Sequence, residues 1–111
     1  MGRTGIQPPY GTIMRDNRVQ GPVTVDLENG LHLVPCSRIA ELASRFESQI
    51  RILKGDLKVD AKTILDLMTL EAECGENLVL SAHGRDAQEA VLQLTELFAS
   101  GFEVSNGTDV R

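Results

Sequence analysis

The chain has 111 residues, 41% of them hydrophobic, and 11 basic against 16 acidic side chains give a net charge of −5. A chain this short makes one small core and has no room for a deep cleft beneath a lid. No run of Lys and Arg is long enough to follow a nucleic-acid backbone, no apolar stretch approaches the ~20 residues that cross a bilayer, and the N-terminus has no apolar secretory segment. The expectation is a cytoplasmic monomer whose partners are proteins, neither nucleic acid nor membrane.

Residues 1–18 mix Gly, a Pro-Pro pair and both charges without apolar periodicity, which predicts a poorly ordered extension; the domain is expected over 19–104, with a short tail at 105–111. Val23, Val25 and Leu27 then alternate with Thr24 and Asp26, predicting a half-buried strand from Val19 to Leu27. Pro35, Ile39, Leu42, Ala43 and Phe46 recur at helical spacing and predict a helix over 35–46, with Pro35 in the first turn, where a missing N–H is harmless. Ile50 and Ile52, then Leu57 and Val59, alternate on either side of Gly55-Asp56, a pair suited to a two-residue hairpin turn. Thr63, with Asp66 three positions on, gives a capping-box-like start to a shorter helix carrying Ile64, Leu65, Leu67, Met68 and Leu70. These are more apolar residues than one face of so short a helix buries, so Leu65 and Met68 are expected at the surface and Leu67 and Leu70 in the core. Leu78-Val79-Leu80 is a fourth strand, and Asp86 with Glu89 caps a last helix built on Ala90, Val91, Leu94, Leu97 and Phe98. The order is that of an α/β (α+β) fold, an antiparallel sheet covered on one face by helices.

His32 lies in Asn29-Gly30-Leu31-His32-Leu33-Val34-Pro35-Cys36, where strand gives way to helix. At a helix N-terminus the first N–H groups are unpaired and the dipole is positive, so an anion is stabilised there. A neutral imidazole is also a nucleophile. Residue type and position together suit a histidine that accepts a phosphoryl group, with the amides of Cys36 and Ser37 as donors and Asn29 as a side-chain partner for the ring. The alternative is an exposed histidine without chemistry. Cys36 and Cys74 are far apart and have no other soft ligands nearby, so free thiols are expected, and neither a metal nor a cofactor. Cys36 in the first turn is also a candidate redox gate for His32, because a helix dipole lowers a thiol pKa. His83 stands alone at a strand end and is expected to be exposed and inert.

Three segments in register, Gly30-Leu31-His32-x-x-Pro35, Ala61-Lys62-Thr63-Ile64-Leu65-Asp66-Leu67-Met68-Thr69-Leu70 and Ser81-Ala82-x-Gly84-x-Asp86, resemble the HPr phosphocarrier family of the phosphoenolpyruvate-dependent phosphotransferase system. The match runs without apparent gaps from about Val19 to Phe102. The resemblance implies an open-faced β-sandwich of four antiparallel strands and three helices, in the order βαββαβα. It also implies that His32 takes a phosphoryl group from enzyme I and passes it to an enzyme IIA component, with partners docking at Ile64, Leu65 and Met68. Thr63 falls where some members carry a serine modified by an HPr kinase/phosphorylase; the alternative is a plain N-cap bonded to the amide of Leu65 or Asp66.

The chain departs from the family pattern at one place. An arginine usually stands two residues after the histidine, and here that position is Val34; the nearest replacement is Arg38, one turn on. Three readings stay open: a working carrier, a regulatory HPr-like interaction protein, and a structural module that has lost both reactions.

Overall fold

In the strands β2 (Arg18–Thr24), β3 (Gln49–Lys54), β4 (Leu57–Asp60) and β5 (Asn77–His83) every second side chain points inward. The pleat thus gathers Val19, Val23, Ile50, Ile52, Val59, Leu78, Leu80 and Ala82 on one face, all of them buried. The helices α1 (Leu33–Ala43), α2 (Ile64–Met68) and α3 (Ala87–Ala99) cover that face and add Ile39, Ala43, Leu67, Val91, Leu94 and Phe98 to the same core. Burying each such Leu, Ile or Phe contributes about 1.5–3 kcal/mol, so the alternation alone commits the sheet to one covered and one open face. This computed structural model describes residues 12–13 and 18–102.

The strands run in the order β1-β2-β5-β3-β4, where β1 is the short strand Thr12–Ile13, antiparallel throughout, and the four long ones with three helices make the expected open-faced sandwich. The hairpin between β3 and β4 turns at Gly55-Asp56 as expected, with Lys54 opposite Leu57.

The first strand is an addition: β1 (Thr12–Ile13) pairs with β2, Thr12 opposite Gln20 and Ile13 opposite Val19. The sheet therefore starts before Val19 and inside the expected extension, because an edge strand two residues long rests on backbone pairing and leaves no hydropathy pattern. Of that extension residues 1–11 and 14–17, like the tail at 105–111, lie outside the described residues, and Arg18 already belongs to β2. β2 also ends at Thr24 instead of Leu27, although Val25 still donates to the Glu76 carbonyl at 2.9 Å and accepts from Gly75 at 2.7 Å.

Two predicted side-chain caps are absent. The Thr63 hydroxyl bonds the Asp60 carboxylate at 3.3 Å and neither the Leu65 nor the Asp66 amide, and Asp66 accepts from the Asp60 amide at 3.3 Å. Asp86 does not cap α3 through its side chain; its carboxylate accepts from the Glu47 amide at 2.8 Å, the Ser48 amide at 2.9 Å and the Ser48 hydroxyl. A carboxylate surrounded by donors from a neighbouring loop loses its local cap to a tertiary one.

Partial burial would raise the Asp86 pKa, but the Ser48 hydroxyl and the two loop amides outweigh it and hold the carboxyl below its ordinary 3.8. A folded-state pKa below the unfolded value means that this contribution is complete above about pH 4 and fades as pH falls through the folded value. Asp86→Ala is expected to cost about 1–2 kcal/mol near neutrality, at the low end for charge-assisted bonds because water reaches the group. Denaturant melts at neutral and acid pH check this: the gap between variant and parent should narrow as pH falls below 4.

Candidate functional site

The site is set by how the chain enters α1. After β2 the chain turns at residues 27–30, with the Gly30 amide donating to the Leu27 carbonyl at 2.9 Å. Gly30 has φ +71°, and a Cβ there would stand 2.5 Å from the Ala72 carbonyl oxygen. Only glycine fits both conditions. The next amide, of buried Leu31, donates to that same Ala72 oxygen at 2.9 Å.

His32 follows in extended conformation (φ −94°, ψ −164°) as the N-cap of α1, with its side chain exposed. Its own amide bonds the Gly30 carbonyl at 3.1 Å, and its carbonyl accepts the first helical bond, from Cys36, at 3.1 Å. That bond corrects the expected donor set: the Cys36 amide is already engaged. Ser37 lies one residue deeper, and its hydroxyl donates to the Leu33 carbonyl at 2.9 Å. Pro35 has no N–H, so the first-turn amides left without a hydrogen bond among the described residues are those of Leu33 and Val34. The imidazole is thus followed directly by two free donors at the positive end of an eleven-residue helix.

The platform under Gly30 is itself tied down. Lys54, reaching from β3, donates to the carbonyls of Leu70 at 2.9 Å and Glu71 at 3.3 Å and pairs with Glu76 at 3.2 Å. Glu76 also accepts from the Glu73 amide at 3.0 Å. That amide, and then Lys54, hold the Glu76 carboxyl below its usual range.

The remaining candidates are dispersed. Asn29 is exposed in the turn and forms no hydrogen bond to His32 among the described residues. Arg38 is half-buried on α1 and makes no ion pair among the described residues. Cys36 is 0% exposed, its thiol contacts the Leu31 carbonyl at 3.7 Å, and burial pushes its pKa up. The dipole argument for a reactive thiol fails here because the side chain turns into the core while only the backbone sits in the first turn. Leu67 and Leu70 are buried as expected, while Leu65 is 76% and Met68 38% exposed. Leu33 and Val34, at 55% and 52% exposed, place a further apolar area directly after His32. No group of three or more His, Cys, Asp or Glu side chains that could hold a metal occurs among the described residues.

Sequence reasoning missed the Leu33 and Val34 amides and Lys54. The first two follow from placing the helix start at Pro35, whereas Pro35 is the third residue of α1. A proline in the first turn fixes the start only to within a turn. Lys54 carries no local signal, since its partners lie 16 or more positions away.

The family model described as "PTS HPr component phosphorylation site" matches residues 19–100. The phosphocarrier protein HPr of Treponema pallidum is 36% identical over 74 residues, covering 67% of this chain and 84% of that protein. The HPr-like protein Crh of Bacillus subtilis is 40% identical over 76 residues, covering 68% and 89%. Among solved structures, HPr-C-His from Thermoanaerobacter tengcongensis superposes with a TM-score of 0.72 at 36% identity over 75% of this chain and 93% of that one.

The geometry makes two expected outcomes concrete. Gly30→Ala should destabilise the fold by about 1–3 kcal/mol, the range for a strained backbone position, with amide NMR shifts centred on His32 and Ala72. In the folded protein a thiol reagent should label Cys74, which is exposed, and leave Cys36 untouched until denaturant is added.

Proposed function

Because the chain belongs to the HPr phosphocarrier family, we propose that His32 accepts a phosphoryl group from phosphorylated enzyme I and passes it to an enzyme IIA component. The observation that carries this reading is the exposed imidazole at the N-cap of α1, followed by two unengaged amides. A ring nitrogen uses its lone pair to form the N–P bond while the donor's bond to phosphorus breaks, and in the second transfer the N–P bond breaks in turn. The charge on the phosphoryl oxygens is met by the Leu33 and Val34 N–H groups, with the dipole of α1 behind them. Among the donors suggested by sequence, Asn29 is exposed in the preceding turn, the Ser37 hydroxyl is turned to the Leu33 carbonyl, and the Cys36 amide closes the first helical turn onto His32.

Val34 leaves the cation to another residue. Arg38 lies four positions on from Val34, and helical side chains lean toward the N-terminus, so a guanidinium at this position has the surface beside Val34 within its reach. It is the chain's own replacement for the family arginine. Exposed Leu65 and Met68, with the partly buried Ile64 between core and surface, are the apolar residues of α2 against which enzyme I and its acceptor pack, and exposed Leu33 and Val34 add apolar surface directly after His32.

Modification of Thr63 by an HPr kinase/phosphorylase, the regulatory alternative, is less well supported. Its hydroxyl is exposed, but it bonds Asp60, and Asp66 lies in the first turn of α2, so a phosphate there would face two carboxylates.

Incubation with phosphoenolpyruvate and cognate enzyme I tests the carrier reading. One acid-labile phosphate should appear by intact mass, and none in His32→Ala. Arg38→Ala should slow transfer about 10–100-fold, the equivalent of a hydrogen bond to a charged group, and Val34→Arg in that background should restore it. Labelling that persists in His32→Ala would refute the assignment.

A further inference from the structure

The open face of the sheet carries a second concentration of donors that the phosphoryl site does not use. Cross-strand register sets Arg18, His83 and Gln49 in one row, Gln20, Ser81 and Arg51 in the next, and Leu53 with Lys58 beyond. These side chains line a cavity of about 120 Å³ on the face away from the helices. In a chain of net charge −5, no acidic residue among the described ones lines it. Asp60, which stands opposite Arg51 on β4, turns its carboxylate to the Lys62 amide at 2.9 Å and the Thr63 hydroxyl at 3.3 Å. Arg51 and Lys58 are exposed and form no ion pair among the described residues. Arg18 and His83 border the cavity and already hold contacts of their own.

We propose that this face binds a small phosphorylated metabolite through Arg51 and Lys58, with Gln20, Gln49 and Ser81 as neutral hydrogen-bonding partners. The segregation of charge supports an anion: a concave, cation-lined surface without facing carboxylates concentrates negative ligands, and the arginine fork matches phosphate oxygens. The volume sets the size, because drug-sized ligands occupy pockets of roughly 300 Å³ and above, leaving room here for little more than a phosphate-bearing head. The site is separate from His32. It lies on the opposite side of the sheet from the helix layer and toward the Arg18 end of β2, whereas His32 follows the other end.

Amide NMR titration of the full chain with pyrophosphate at low ionic strength, and in parallel with citrate, tests this. Saturable shifts are expected at Gln20, Gln49, Arg51, Lys58 and Ser81, with pyrophosphate binding tighter than citrate. Arg51→Gln and Lys58→Gln should each weaken binding about tenfold, the loss of one charge-assisted bond, while leaving the melting temperature and phosphorylation of His32 unchanged. No saturation, unchanged affinity in both variants, or shifts confined to Leu33 and Val34 would overturn the proposal. Citrate binding as tightly as pyrophosphate or more so would overturn the phosphate assignment. None of these outcomes bears on the carrier reading, whose test is the acid-labile label.

Discussion

The approach of Gly30 and Leu31 to the carbonyl of Ala72 is the constraint on which the candidate site depends. Gly30 lies against that oxygen with φ +71°, and Leu31 donates to it at 2.9 Å. The chain leaves β2, passes this single point and enters α1 at once, with His32 as the extended N-cap. The strap formed by Lys54 holds the opposite side of the contact, so a residue on β3 with no part in the chemistry helps fix where the imidazole stands.

Around this fixed point the chain has exchanged charge for apolar surface. Leu33, Val34, Leu65 and Met68 are all exposed and none carries charge, whereas the family pattern has a cation where Val34 stands. The free amides and the helix dipole remain, since they belong to the backbone and tolerate any side chain except proline at positions 33 and 34. On the proposed reading, Arg38 supplies positive charge from one turn deeper; the residue is half-buried on α1. An anion site built mainly from backbone can lose a side chain and keep its position.

The parts of the fold legible in the sequence were those with periodicity. Ile50 and Ile52 alternating toward Gly55-Asp56, and Val91, Leu94 and Phe98 recurring along α3, are direct imprints of one buried face. Thr12–Ile13 left no such imprint, because two residues are too few to show an alternation. Thr63 and Asp86 misled because a capping side chain can bond any donor or acceptor within reach: Thr63 met Asp60 three positions upstream, and Asp86 met Glu47 and Ser48, which tertiary structure brings near. His32 was legible because glycine before it and proline after it bracket a helix start. The identity of the free amides required the actual first hydrogen bond, from Cys36 to His32, and a two-residue error in the helix start moved the expected donors from Leu33 and Val34 to Cys36 and Ser37.

Amide NMR of the phosphorylated protein against the unphosphorylated one tests the central claim most directly. A phosphoryl group on His32 held by the start of α1 should move the Leu33 and Val34 amide protons downfield as they gain a charged acceptor, while Cys36, bonded throughout to the His32 carbonyl, changes little. Downfield movement at Cys36 or Ser37, with Leu33 and Val34 unmoved, would contradict this placement of the phosphoryl group.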